Sequence, residues 1–270
     1  MKLTTSIKAY IKKSPFLTRI ALLFLHLRPV LRPSCWRRYV RFFRDFLEFR
    51  KMSKERSRLS VSFLDHYPCL EDNTSVTHFD RHYVYHCAWA ARILKETKPA
   101  LHVDIGSSLY FCSMVSGFIP MEFHDVRPPD LELTNLAVKV NTLEKLDIPD
   151  HSVVSLSCMH VIEHLGLGRY GDPLDPNADL VGIAELKRIL APGGDLLIVV
   201  PLGTPKVMFN GQRVYSFDLI KDYFAELELK EFAFIPDSAA DGHLIRKPSP
   251  ELIASFRSGC GCFWFKGITR

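Results

Sequence analysis

The stretch from Cys158 to His164, CMHVIEH, brings His160, Glu163 and His164 within five positions. Imidazoles titrate near neutral pH, so either histidine suits general-base removal of a proton from a hydroxyl. Two histidines and a carboxylate could instead hold a divalent metal that lowers the pKa of a bound group. The third reading is structural, with His164 hydrogen-bonded inside the fold to orient a turn. The H-x-x-E-H spacing is also that of inverted zinc peptidases, which carry it in the middle of a sustained helix. Here the apolar run VVSLSC leads straight into it as a strand, and Gly166 and Gly168 end any helix within two turns. A peptidase is therefore not expected, and His160 is expected at the carboxyl end of a strand.

The elements that would position this cluster alternate strictly. Residues 79–97 have a helical pattern ended by Lys98-Pro99, with His78, His82 and His86 four apart along that stretch. That stripe is read as a helix face near a ligand pocket, with a metal stripe as the alternative. Apolar runs around ALHVDI, EFHDV, LAVKV, VVSLSC and DLLIVVP are separated by helical or loop segments, and EFAFI and CFWFKGI follow a helix at about 217–227. Strand alternating with helix implies a mostly parallel sheet covered on both faces, here with seven strands.

In such sheets ligands sit beyond the carboxyl ends of the strands. Gly106, after the first run, lets a backbone approach a ligand, and Asp125 ends the second run 19 residues later, where an acid can accept both hydroxyls of a ribose. The later glycines of a pyrophosphate-binding fingerprint are missing, which suits a nucleoside without a pyrophosphate, such as S-adenosylmethionine.

With ELKRILAPGGDLLIVVP after the fourth strand, residues 78–270 resemble the Rossmann-like class I methyltransferase fold. That resemblance implies that Asp104, Gly106 and Ser107 hold the amino-acid end of S-adenosylmethionine, Asp125 its ribose, and Thr142 and Leu143 its adenine. Thr142 stands where the family often has an acid. SLSCMHVIEHLGLGRYGDPLDPNADL and VPLGTPKVMFNGQRVYSFDLI look like a methyltransferase-like family associated with surface-polysaccharide biosynthesis, which implies O-methylation of a sugar or glycan. The cluster is also similar to the E-x-x-E-H metal site of small-RNA and ubiquinone-pathway O-methyltransferases, with His160 in place of the first glutamate. A divalent metal is thus a second expected cofactor. The long polar loop after Leu165 supplies Arg169, Tyr170 and Asp172, and the segment after the fifth strand supplies Asn210, Arg213 and Tyr215, as groups able to hydrogen-bond a polyhydroxylated acceptor. A non-catalytic methyltransferase-like scaffold is the rival reading.

The 270 residues divide in charge: residues 1–60 hold sixteen basic and three acidic side chains, a net +13, and the rest of the chain is −8. A basic helical region over 1–75 and a methyltransferase domain over 76–270 are expected. Phe16, Leu17, Ile20, Leu23, Phe24 and Leu27 share one helical face, and Trp36, Tyr39, Val40, Phe43, Phe46 and Leu47 another, with Arg37, Arg38, Arg41 and Arg44 interleaved. Such helices suit an anionic membrane surface, or a cap on the main domain with a solvated basic rim; nucleic acid is not the expected partner, for want of a stacking platform. The apolar start lacks a small-residue cleavage site and reads as retained. Seven cysteines without C-x-x-C read as reduced and buried, those at 260 and 262 on a strand, which points to the cytoplasm and, through the arm, the inner face of the membrane.

Overall fold

The computed structural model describes residues 36–56, 59–256 and 258–269. The apolar face expected between Phe16 and Leu27 lies outside them. The chain forms two compact units that part between His78 and Phe79.

In the first unit, helix α1 (Trp36–Arg56) packs its aromatic residues on a short 3₁₀ turn at Phe63–Asp65. Phe43 stacks on Phe63 at 6.0 Å, Phe46 meets the same ring edge-on, and both Phe42 and Phe43 lie against His66. The face that packs therefore runs through Phe42, Phe43 and Phe46, while Trp36, Val40 and Leu47 of the expected stripe are exposed. No helix of the described residues is long and apolar enough to cross a membrane.

The second unit is built on one sheet. Its elements are α2 (Arg81–Thr97), β1 (His102–Ile105), α3 (Leu109–Val115), β2 (Met121–Asp125), β3 (Leu136–Val140), β4 (Val153–Met159), α4 (Ala178–Ile189), β5 (Leu190–Gly203), β6 (Lys206–Met208), β7 (Gln212–Val214), α5 (Phe217–Tyr223), β8 (Glu228–Pro236), β9 (Ile245–Arg246), α6 (Pro250–Ser255) and β10 (Ser258–Lys266). The strand order is β3-β2-β1-β4-β5-β10-β8-β9. The first five are parallel, and β10 runs antiparallel to both of its neighbours. This is the Rossmann-like methyltransferase fold. The sheet has eight strands and is mixed, not seven: β9 is a two-residue edge strand on β8 that carries too little pattern to show in sequence. Ala191-Pro192-Gly193-Gly194, a sequence that would ordinarily end a helix in a loop, lies within β5. Leu190 already pairs with Val153, so these four residues form an irregularity inside β5 rather than a loop before it.

Side-chain alternation puts a hydrophobic core on each face of the sheet. Leu156 and Cys158, Leu196, Ile198 and Val200, and Phe263 and Phe265 face α4 and α5; Met159, Leu197, Val199, Cys260 and Cys262 face α2 and α3. Helix α2 starts at its cap, where the Asp80 carboxylate accepts from Tyr83 N at 3.1 Å, and ends with Lys98 in the left-handed region. Its Trp89, Ala90, Ile93 and Leu94 are buried and leave His82 and Tyr83 at the strand-end rim. Among the described residues six cysteines are free, all buried except Cys69.

A buried polar chain ties β1 to β4 below the site. Ser157 Oγ donates to Asp104, so it accepts from His102 Nε2 at 2.8 Å, and Ser155 lies 2.7 Å from His102 Nδ1. Burial lowers the His102 pKa from 6.5 to about 3. The unfolded chain thus takes up a proton as pH falls through 6.5 and the folded one does not, and stability present above that pH is lost toward pH 3. Asp104 acts with the opposite sign: burial raises it from 3.8 to about 6 against the hydrogen bonds it accepts, so folding gains as pH falls from 6 to 3.8. His102→Gln is expected to gain stability relative to wild type between pH 7 and pH 5, as read by urea denaturation. A difference independent of pH would show that His102 is not the group that resists protonation.

Candidate active site

Two cavities open at the carboxyl ends of β1, β2, β4 and β5. One, of about 640 Å³, is lined by Ile105, Gly106, Asp125, Val126, Asn141, Thr142, Leu143, Val161 and the start of α4. The other, of about 550 Å³, is lined by Asp80, His82, Tyr83, Glu163, Thr204, Lys206, Gln212, Asp237 and Ser258, among others. His160 and His164 line both, so the cavities meet at this pair.

The first cavity exists because Gly106 turns the chain out of β1 with φ +66°. A β-carbon there would lie 3.3 Å from Val161 and 4.0 Å from Asp125 Oδ2, filling the space in which a ligand would approach the backbone. Asp125 Oδ1 accepts from Arg127 N at 2.7 Å, which fixes the carboxylate on the cavity wall. Thr142 and Leu143 line the same cavity. Apolar Ile105, Val126, Leu143, Val161 and Leu165 line it together with the carboxylates of Asp125, Glu144, Asp172 and Asp175, of which Asp125 stands beside Gly106; such a lining suits an adenosyl group. Asp104 and Ser107 take another part than the one expected of them. Asp104 is fully buried and accepts from Ser107 N at 3.0 Å, while Ser107 Oγ accepts from Met159 N at 2.9 Å. Both shape the loop from within, and neither lines the cavity.

His160 follows β4 in the left-handed region, φ 60°, a conformation costly for a residue with a β-carbon and found mostly where function holds it. Its N–H donates to Val199 O at 2.8 Å, and its Nδ1–H donates to Glu163 Oε1 at 2.9 Å. Nε2 then faces Cys260 Sγ at 3.4 Å. Burial works against a charged His160, but the hydrogen bonds to Cys260 and Glu163 outweigh it and raise the pKa. Glu163 is fully buried, and its Oε2 has no hydrogen-bond partner.

Residues Ile162–His164 form a single 3₁₀ turn rather than the start of a helix. His164 Nδ1 lies 2.7 Å from Gly211 O and donates to it, which leaves Nε2 as the basic nitrogen, 3.8 Å from Glu163 Oε1. Gly166, φ +69°, permits the return of the loop: a β-carbon there would lie 2.1 Å from Asp175 O.

The six residues expected to bind acceptor divide. Arg169 lines the second cavity and donates to Gly211 O at 3.1 Å. Tyr170 and Asp172 belong to the adenosyl cavity instead. Tyr170 lies between the Arg127 and Arg169 guanidinium groups, at 4.4 and 5.2 Å, and Asp172 accepts from Gly168 N and Tyr170 N. Asn210 donates to Leu167 O and lines neither cavity. Arg213 is buried, donating to Leu165 O and Pro176 O with Asp179 3.5 Å away, and the buried Tyr215 donates to Asp179 at 2.9 Å. These two hold the loop after His164 to β7 and α4. The residues of the second cavity that the sequence pattern does not mark are Asp80 at the cap of α2, Thr204 and Asp237 just after β5 and β8, Lys206 at the start of the short β6 and Ser258 at the start of the antiparallel β10, where no spacing rule applies.

The fold and the paired cavities define a methyltransferase-type architecture. A family profile described as "Caenorhabditis protein of unknown function, DUF268" matches residues 136–226. No curated protein matches the chain. Among solved structures, the N-methyltransferase NodS from Bradyrhizobium japonicum is similar at 12% identity and TM-score 0.48, over 69% of this chain and 97% of that one. The 1,6-didemethyltoxoflavin-N1-methyltransferase from Burkholderia thailandensis, with bound 1,6-didemethyltoxoflavin and S-adenosylhomocysteine, is similar at 11% identity and TM-score 0.48, over 72% of this chain and 93% of that one.

Proposed function

We propose that the protein is an S-adenosylmethionine-dependent methyltransferase that methylates oxygen of a sugar or glycan, in the setting of surface-polysaccharide assembly. The observation that carries this reading is the meeting, at His160 and His164, of the cavity above Gly106 and Asp125 with a polar cavity. Bound S-adenosylmethionine supplies a methyl group on a sulfonium. Gly106 leaves space for it, Asp125 would accept from its ribose hydroxyls, and Leu143, Val126 and Val161 would give its base an apolar lining. In the second cavity Asp80, Arg169, Thr204, Lys206 and Gln212 supply donors and acceptors for a polyhydroxylated acceptor. His164 Nε2 would take the proton of the acceptor hydroxyl when that hydroxyl receives the methyl group. Glu163 keeps His160 in place beneath. Holding the groups in line contributes most of the acceleration, with the base adding to it.

The test is transfer of labelled methyl from S-adenosylmethionine to soluble glycans and nucleotide sugars. Alkali-stable label in the carbohydrate fraction is expected. Label in protein or nucleic acid alone would remove the sugar reading, and no transfer from a chain that binds the cofactor would favour the scaffold.

We further propose that the basic residues of 1–60 attach the protein to anionic membrane surfaces. Full-length chain should co-sediment with phosphatidylserine vesicles and lose this at high salt, since each nearby cation contributes about 1 kcal/mol that salt screens. A chain starting at Phe79 that sediments equally well would refute the attachment.

A further inference from the structure

Beside the methyl-transfer point lies a set of donors that the mechanism above does not use. His82 on α2, His160 after β4 and Cys260 on β10 come together with their ligand atoms all within 4.8 Å of one another. They are far apart in sequence and meet because β10 is antiparallel: its first residues, not its last, reach the rim where the parallel strands end. Among the described residues this is the group of His, Cys, Asp and Glu side chains whose donors converge closely enough to hold an ion. The expected group of His160, Glu163 and His164 is not such a group: His164 Nδ1 is bonded to Gly211 O, and Glu163 Oε1 takes the Nδ1 proton of His160.

We propose that His82, His160 and Cys260 bind a zinc-class divalent ion at the floor of the second cavity, with a fourth position open to the acceptor. Four observations support this. In a tetrahedral zinc site, bonds of about 2.3 Å to sulfur and about 2.05 Å to nitrogen set ligand atoms roughly 3.5 Å apart, and His160 Nε2 and Cys260 Sγ stand at 3.4 Å. Glu163 receives the other ring proton of His160 at 2.9 Å, the carboxylate–histidine arrangement that orients a metal-binding imidazole and fixes its tautomer. Buried Glu163 Oε2 has no partner, so negative charge stands against the site without compensation from a hydrogen bond. His160 is held in the left-handed region, which aims its ring across the rim at Cys260 and His82 instead of along the strand. Asp237, 3.0 Å from His82 Nε2, adds a second carboxylate at the mouth. Mixed imidazole and thiolate donors select zinc over magnesium or calcium, which take oxygen ligands.

Three protein ligands and a free fourth position are the arrangement of catalytic zinc, which polarises a coordinated oxygen. His82 and His160 line the second cavity, so that position faces the acceptor hydroxyl whose proton His164 would take. Only this role of the ion rests on the methyltransferase reading; its binding does not.

The test uses the full chain, purified under reducing conditions and stripped with chelator, titrated with Zn²⁺ by competition and with Co²⁺ by absorption. One equivalent of Co²⁺ should bind with a thiolate-to-cobalt charge-transfer band and tetrahedral visible bands. His82→Ala and Cys260→Ser should lose the stoichiometric ion while binding S-adenosylhomocysteine as wild type does, and Glu163→Ala should weaken zinc about 10–100-fold. His82→Ala keeps the test decisive if Cys260→Ser fails to fold, because His82 lies on the first turn of α2 and is part-exposed. Cobalt bound without the thiolate band, or zinc affinity unchanged in His82→Ala, would overturn the site. S-adenosylhomocysteine binding with no zinc removes the ion and leaves the methyltransferase reading; zinc binding with no S-adenosylhomocysteine binding does the reverse.

Discussion

His164→Ala is expected to lower kcat about 10²–10⁴-fold while leaving affinity for S-adenosylhomocysteine close to wild type. The asymmetry follows from position. His164 stands where the two cavities meet, with Nδ1 committed to Gly211 O and Nε2 left to receive a proton. The adenosyl wall, by contrast, is made by Gly106, Asp125, Leu143 and Val161; His164 meets it through a backbone bond, His164 N to Val161 O at 3.0 Å, which His164→Ala keeps. Steady-state kinetics beside a binding titration separates the outcomes. Equal losses in turnover and affinity would mean that the ring merely holds the loop from Leu165 to Asp175. His164→Gln can keep the hydrogen bond to Gly211 O without a titrating nitrogen, so it should restore folding stability but not turnover.

Asp125→Ala should weaken S-adenosylhomocysteine about 10- to 100-fold, the effect of losing hydrogen bonds to a charged acceptor at about 1.5–3 kcal/mol. The carboxylate is half-buried at the end of β2, one oxygen held by Arg127 N and the other within 4.0 Å of the space above Gly106. Asp125→Asn keeps an acceptor and should lose less. An alanine variant with unchanged affinity would show that the ribose lies elsewhere.

Much of this arrangement was legible in residues at strand ends. Gly106 and the pair at 160 and 164 follow apolar runs whose length and β-branched content mark a strand, Asp125 ends the short run EFHD, and the switch-point rule then places them on one rim. Legibility failed where contact depends on partners remote in sequence. The methyltransferase resemblance implies a ligand contact for Asp104, yet its carboxylate turns inward because Ser157 and Ser107 satisfy it there. Arg213 and Tyr215 read as exposed polar groups on a loop, yet the carbonyls of Leu165 and Pro176 and the Asp179 carboxylate draw them into the interior. Cys260 read as an ordinary buried strand residue. Whether a late strand runs parallel or antiparallel is not written in its periodicity, and that direction alone decides which end of β10 meets His160. The histidines of α2 carried a hint, since a stripe at spacing four faces one way, but its target could not be known before the sheet was assembled.

The claim on which the rest depends is that the cavity above Gly106 accepts an adenosyl group. Isothermal titration of the full-length protein with S-adenosylhomocysteine tests it most directly. One ligand per chain, with heat that Asp125→Ala reduces and His164→Ala does not, is the predicted result; no heat of binding from a folded protein at millimolar ligand would contradict it.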